Sequence, residues 1–85
     1  MEYPVIDLQE TGKRIRALRK ERCISVRTVC EFMGGISPQA VYKWEAGICL
    51  PTLDNMYALS ILFQVSINEM IEETEKVSSF LCDIG

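Results

Sequence analysis

Three side chains with the means to read a nucleic-acid base lie within five residues of one another: the amide of Gln39, the phenol of Tyr42 and the ammonium of Lys43. Gln can pair bidentately with adenine, and Lys can reach guanine or a phosphate. The chemistry needs a short rigid rod to carry them, and the surrounding Ser37-Pro38-Gln39-Ala40-Val41-Tyr42-Lys43-Trp44-Glu45-Ala46-Gly47 has both ends of a helix specified. Ser37 is an N-cap whose hydroxyl accepts from a first-turn amide. Pro38 suits the first helical position, where its φ is preset and no N–H is needed. Gly47 can take the left-handed conformation that ends a helix. Val41 and Trp44, three apart, form an apolar stripe opposite Gln39, Tyr42 and Lys43. Taken alone, the segment is equally an ordinary amphipathic helix.

The residues before it favour base reading. Ser25 to Met33 predicts another short helix with Ser25 as N-cap, Ile24 and Val29 as a hydrophobic staple, and Phe32 and Met33 as further apolar contacts. Gly34-Gly35-Ile36 then turns the chain into Ser37. Helix, glycine turn and second helix is the helix-turn-helix layout, whose second helix enters the major groove. On these residues the chain resembles the DNA-binding family of phage repressor and Cro proteins, the xenobiotic-response-element type. The likeness runs from about Thr11 to Ile71. Its most specific parts are Val41 to Gly47, Leu50-Pro51 and Leu59 to Ile71.

The resemblance implies an all-α fold of five helices, and it implies roles. A first-helix Arg pairs with the Glu after the recognition-helix aromatic residue, which assigns a structural brace to Arg19 and Glu45. Gln39 and Lys43 fall on base-reading positions with Tyr42 beside them, and Ser37, Pro38 and Ala40 open the same helix toward phosphates. Ser25, Val26 and Arg27 fall where the family meets the DNA backbone through a helix N-terminus, whose free amides attract phosphate. Val41 and Trp44 are structural, and Cys30 takes the place of a small residue packed between the two helices. Three positions depart from the pattern. Val26 replaces a Gln that could support the reading helix. Ile48-Cys49 offers no cation after Gly47. The glycine turn is one residue longer than in the phage proteins.

Net charge is −3, which at first sight opposes a nucleic-acid partner. Distribution decides more than the total. Between Thr11 and Lys43 eight basic residues face only Glu21 and Glu31, a local balance of +6, whereas from Trp44 onward the balance is −6. Such polarity turns one face toward phosphates and the other away. For the first helix a merely solvated surface explains the same charges. With no histidine, the usual general base is missing, and four cysteines lack close metal-ligand pairing. No enzyme, metal, cofactor or small-molecule ligand is expected. Eighty-five residues suit one domain, with no separate sensor. No signal pattern or membrane-spanning run is present, so a cytoplasmic location is expected.

Residues 1–10 form an apolar arm, extended over Tyr3-Pro4-Val5-Ile6, and the start of helix 1. Asp7 and Glu10 there have capping-box spacing. Helix 1 runs to about Arg22 with Leu8, Ile15 and Leu18 inward, and Gly12 inside it either delays the helix start or permits close packing. Cys23, where the family uses Gly, predicts either local strain or a different turn. Thr52 caps a helix to about Phe63, with Leu53, Met56, Tyr57, Leu59, Ser60 and Phe63 on its stripe and Ile61 and Leu62 widening it. Ser66 and Glu69 cap a last helix reaching Glu73, with Val65 and Met70 as staple. The DNA-binding domain is thus 11–73. The tail, 74–85, carries Val77, Phe80, Leu81 and Ile84 at the spacing of an extra amphipathic helix. It can fold back on its own domain or pair with a second copy, and a homodimer is favoured. The function expected is a sequence-specific regulator of double-stranded DNA, a repressor reading with helix 38–46. The alternative is an antitoxin or adaptor that uses the same fold to hold a protein.

Overall fold

The computed structural model describes residues 4–74. The element order is α1 (Leu8–Glu21), α2 (Val26–Phe32), α3 (Pro38–Glu45), α4 (Leu53–Phe63) and α5 (Ile67–Met70), with no strand beyond an isolated bridge among those residues. Each helix begins at a side-chain cap. Asp7, Ser25, Ser37, Thr52 and Ser66 each accept a bond from the amide three residues on.

The two capping-box spacings resolve differently. Ser66 and Glu69 complete the reciprocal pair, at 3.2 and 2.8 Å. Asp7 caps α1, but its own amide donates to the Glu72 carbonyl at 2.7 Å, and Glu10 pairs instead with Lys13. A tertiary bond has replaced the local one. The same strap shortens α5, which stops at Met70 rather than Glu73. Thr74 donates to the Val5 carbonyl at 2.8 Å, and Ile6 bridges Glu73 antiparallel. Thr11 is fully buried beneath, its hydroxyl accepting from the Glu72 amide at 2.9 Å.

One core joins every helix: Ile15 and Leu18 of α1, Val29 and Cys30 of α2, Val41 and Trp44 of α3, Met56, Leu59 and Phe63 of α4, and Met70 of α5. Fully burying a side chain of this size stabilises by roughly 1.5–3 kcal/mol. Five expected core residues lie outside it. Leu8 is 38% exposed and Phe32 48%, while Leu53, Tyr57 and Ile61 reach 76, 61 and 53%. The reason in α4 is angular. Met56, Leu59, Ser60 and Phe63 form the face turned inward, and among the described residues the second layer lies on that side. Leu53, Tyr57 and Ile61, spaced by four, form a separate stripe flanking that face. Cys23 at φ 55 and Gln64 at φ 60 end α1 and α4 in left-handed conformation without glycine, so the strain expected at Cys23 is present. The tail residues Val77, Phe80, Leu81 and Ile84 lie outside the described residues, as does Tyr3 of the arm.

Candidate nucleic-acid interface

The end caps fix the length and direction of α3. Ser37 accepts from the Ala40 amide at 3.3 Å, and Pro38 occupies the first turn. At the other end Gly47 (φ 78) lets its amide reach the Trp44 carbonyl at 3.1 Å and lets Ile48 reach Lys43 at 3.0 Å. Val41 and Trp44 are buried at 1 and 5% exposure. Gln39, Tyr42 and Lys43 are therefore turned outward and exposed.

Two features hold this rod from behind. At Gly12 of α1 an added Cβ would lie 2.7 Å from the Glu45 carbonyl oxygen, so only hydrogen allows the helices to meet there. Next, Arg19 grips Glu45 with both arms: Nε donates to Oε2 at 2.7 Å and Nη2 to Oε1 at 3.2 Å. Its remaining nitrogen, Nη1, donates to the Ile24 carbonyl at 3.0 Å. The pair is largely shielded, with side chains 12 and 7% exposed. The hydrogen bond to Glu45 raises the Arg19 pKa above its usual value, burial opposing and the Glu45 charge adding to it. One guanidinium thus ties α1 to the end of α3 and to the turn before α2.

The other side chains singled out from the sequence surround α3. Ser25 and Ser37 spend their hydroxyls on capping. The Ala40 amide is likewise committed to Ser37. Val26 is half-buried and packs against the core. With Cys30, Pro38 and Tyr42 it lines a cleft of about 350 Å³ between α2 and α3. An apolar side chain therefore stands where an amide could have supported α3. Gly34 and Gly35, at φ 81 and 97, form the turn between these helices, and Cβ atoms there would meet nothing within 4 Å. Their requirement is backbone conformation, not space.

Arg27 pairs with Glu31 at 3.2 Å, with both side chains exposed. Such a pair is weak and can be exchanged for a phosphate. Sequence reasoning missed a different pair of cations. Arg16 and Lys20 of α1 are exposed and have no bonding partner among the described residues, as is true of Lys43. The only sequence signal for them was the basic character of the whole helix, which does not tell bound cations from free ones.

This geometry defines the class: a helix-turn-helix domain with a braced, outward-facing second helix. The helix-turn-helix family model matches residues 15–70, and the chain belongs to that family, in its phage repressor and Cro type. Proteins of this class are DNA-binding transcriptional regulators, and so is this chain. By sequence search, no curated protein matches it. Among solved structures, the P22 c2 repressor in complex with a synthetic operator is similar at 33% identity and TM-score 0.68, over 75% of this chain and 96% of that one. The restriction-modification controller protein C.AhdI from Aeromonas hydrophila is similar at 26% identity and TM-score 0.68, with the same shares. The BldD DNA-binding domain of S. venezulae shares the fold at 22% identity and TM-score 0.66, over 78% of this chain and 97% of that one. No helix among the described residues is long and apolar enough to cross a membrane.

Proposed function

We propose that the chain is a cytoplasmic transcriptional repressor that binds an operator as a homodimer and reads the major groove with α3. Gln39 and Lys43 contact base edges and Tyr42 lies beside them. Ser25, Val26, Arg27, Ser37, Pro38 and Ala40 follow the sugar–phosphate backbone. The domain 11–73 carries this interface, and the tail 74–85 contributes to pairing through Val77, Phe80, Leu81 and Ile84. The observation that carries the reading is the exposed Gln39–Tyr42–Lys43 face on a helix whose other side is locked by Val41, Trp44 and the Arg19–Glu45 pair. Rigid presentation matters because a base contact discriminates only if its geometry is fixed before binding. The operator-bound P22 c2 repressor, similar over most of both chains, supports an operator as ligand. Occlusion of a promoter is the simplest action for a domain of this size.

Selection of bound sites from random duplex DNA tests the whole reading. The expected product is an inverted repeat with half-sites about one helical turn, roughly 34 Å, apart. On that site Gln39→Ala costs roughly 1–3 kcal/mol and relaxes one base position. No enrichment, together with no effect of Gln39→Ala, would sink it. The adaptor reading has one observation in its favour, the outward α4 stripe of Leu53, Tyr57 and Ile61. It takes over if DNA selection fails.

A further inference from the structure

The described residues contain eight cationic side chains, and the fold divides them sharply. Five are committed. Lys13 holds Glu10, Arg14 donates to the Glu69 carbonyl, Arg19 holds Glu45, Arg22 donates to the Phe63 carbonyl and Arg27 holds Glu31. Arg16, Lys20 and Lys43 have no partner among the described residues, and all three are exposed. Their positions are not scattered. Arg16 lies between Gly12 and Arg19 on the α1 stripe that meets α3, and with Tyr42 and Ala46 it lines a hollow of about 250 Å³. Lys20 follows one turn later, about 6 Å along the axis. Lys43 is a neighbour of Tyr42 on the outward side of α3.

The lack of a counter-charge has a local cause. Glu45 lines the same hollow as Arg16, but both its oxygens are taken by Arg19. Glu21, beside Lys20, is 3.4 Å from Arg22. Two unpaired cations four apart on one helix repel slightly. An anion placed over them removes that cost. The loop after α3 supplies no cation of its own, since Gly47 is followed by Ile48 and Cys49.

We propose that Arg16 and Lys20 form a second phosphate contact, on α1, which holds the DNA backbone flanking the base pairs read by α3. This rests on the reading of α3 as the major-groove helix. The occupant is the phosphodiester chain of the same duplex. The edge continues the exposed face of α3, and no acidic side chain among the described residues is bonded to it. Contact here is independent of sequence, so it sets affinity and register and not base preference.

The test measures affinity of the full chain for a selected site and for an unrelated duplex across a salt series. Arg16→Gln and Arg16→Gln/Lys20→Gln are compared with Arg14→Gln, which removes the same charge from the α5 side of α1. Thermal melts confirm that each variant is folded. Each lost contact should lower the log–log salt slope by about 0.9 and weaken binding about eightfold at 0.1 M salt, equally on both duplexes. Arg14→Gln should leave the slope unchanged. The inference is overturned if Arg16→Gln binds with wild-type slope, or if Arg14→Gln lowers the slope as much, since net charge then explains the loss. It is overturned too if the double variant changes base preference. A wild-type chain that binds neither duplex overturns the DNA reading itself, an outcome distinct from all of these.

Discussion

Replacing Arg19 with alanine removes three charge-assisted hydrogen bonds, two to Glu45 and one to the Ile24 carbonyl. It also leaves the Glu45 carboxylate, 7% exposed, without its partner. Bonds to charged groups contribute about 1.5–3 kcal/mol each in mutational terms, and breaking a buried pair costs about 3–5. These overlap, because the same guanidinium serves all three acceptors. The expected loss is about 3 kcal/mol. A domain of this size has on the order of 5 kcal/mol in total. Arg19→Ala should therefore fold marginally, with Tm lowered by about 15 °C. Urea melts can follow the single tryptophan, Trp44, which is buried beside Glu45 in α3. Adding Glu45→Ala should restore part of the loss, giving a coupling of about 2 kcal/mol in the double-mutant cycle. Arg19→Lys should recover little, because one ammonium cannot span two carboxylate oxygens and a carbonyl. The pH sign is also defined. A pKa raised in the folded state gives stability that is complete below the unfolded value and lost as pH rises through the folded one. For Arg19 the ordinary value is already far above neutrality and the folded one is raised further, so its contribution should be flat from pH 5 to 9. A cost below about 0.5 kcal/mol, or no coupling with Glu45, would refute the bracing argument.

Gly12→Ala should destabilise by about 2 kcal/mol in a urea melt, although helix propensity alone predicts a gain of about 1. A stabilised variant would show that α1 and α3 can move apart at no cost. Glu31→Gln frees Arg27 from its exposed pair and should tighten DNA binding about twofold to tenfold, with an unchanged melt. Equal affinity would remove Arg27 from the interface. Ending the chain after Lys76 should keep the helical circular dichroism and cooperative melt while giving a monomer by sedimentation. If the cooperative melt is lost instead, residues 77–85 belong to the protomer's own core.

Much of the fold was legible because its signals are local. A hydroxyl or carboxylate that caps a helix acts on an amide three residues away, and Pro38 and Gly47 act on their own backbone. Ser25, Ser37, Thr52 and Ser66 could therefore be assigned from sequence, and with them the orientation of Gln39, Tyr42 and Lys43. The Arg19–Glu45 brace spans 26 residues and came from family likeness, since nothing local requires it. Tertiary structure decided what depends on which groups meet. It gave the Asp7 amide to Glu72 in place of Glu10 and ended α5 at Met70. It left Leu53, Tyr57 and Ile61 outside the core, because periodicity marks apolar residues without telling which side of α4 receives a neighbour. It also divided the basic residues. Composition gives the first half of the chain its positive charge, but only the packed structure assigns Arg14, Arg19 and Arg22 to carbonyls and carboxylates and leaves Arg16 and Lys20 without a partner among the described residues. A cation's reach exceeds one helical turn, so its partner is set by the fold.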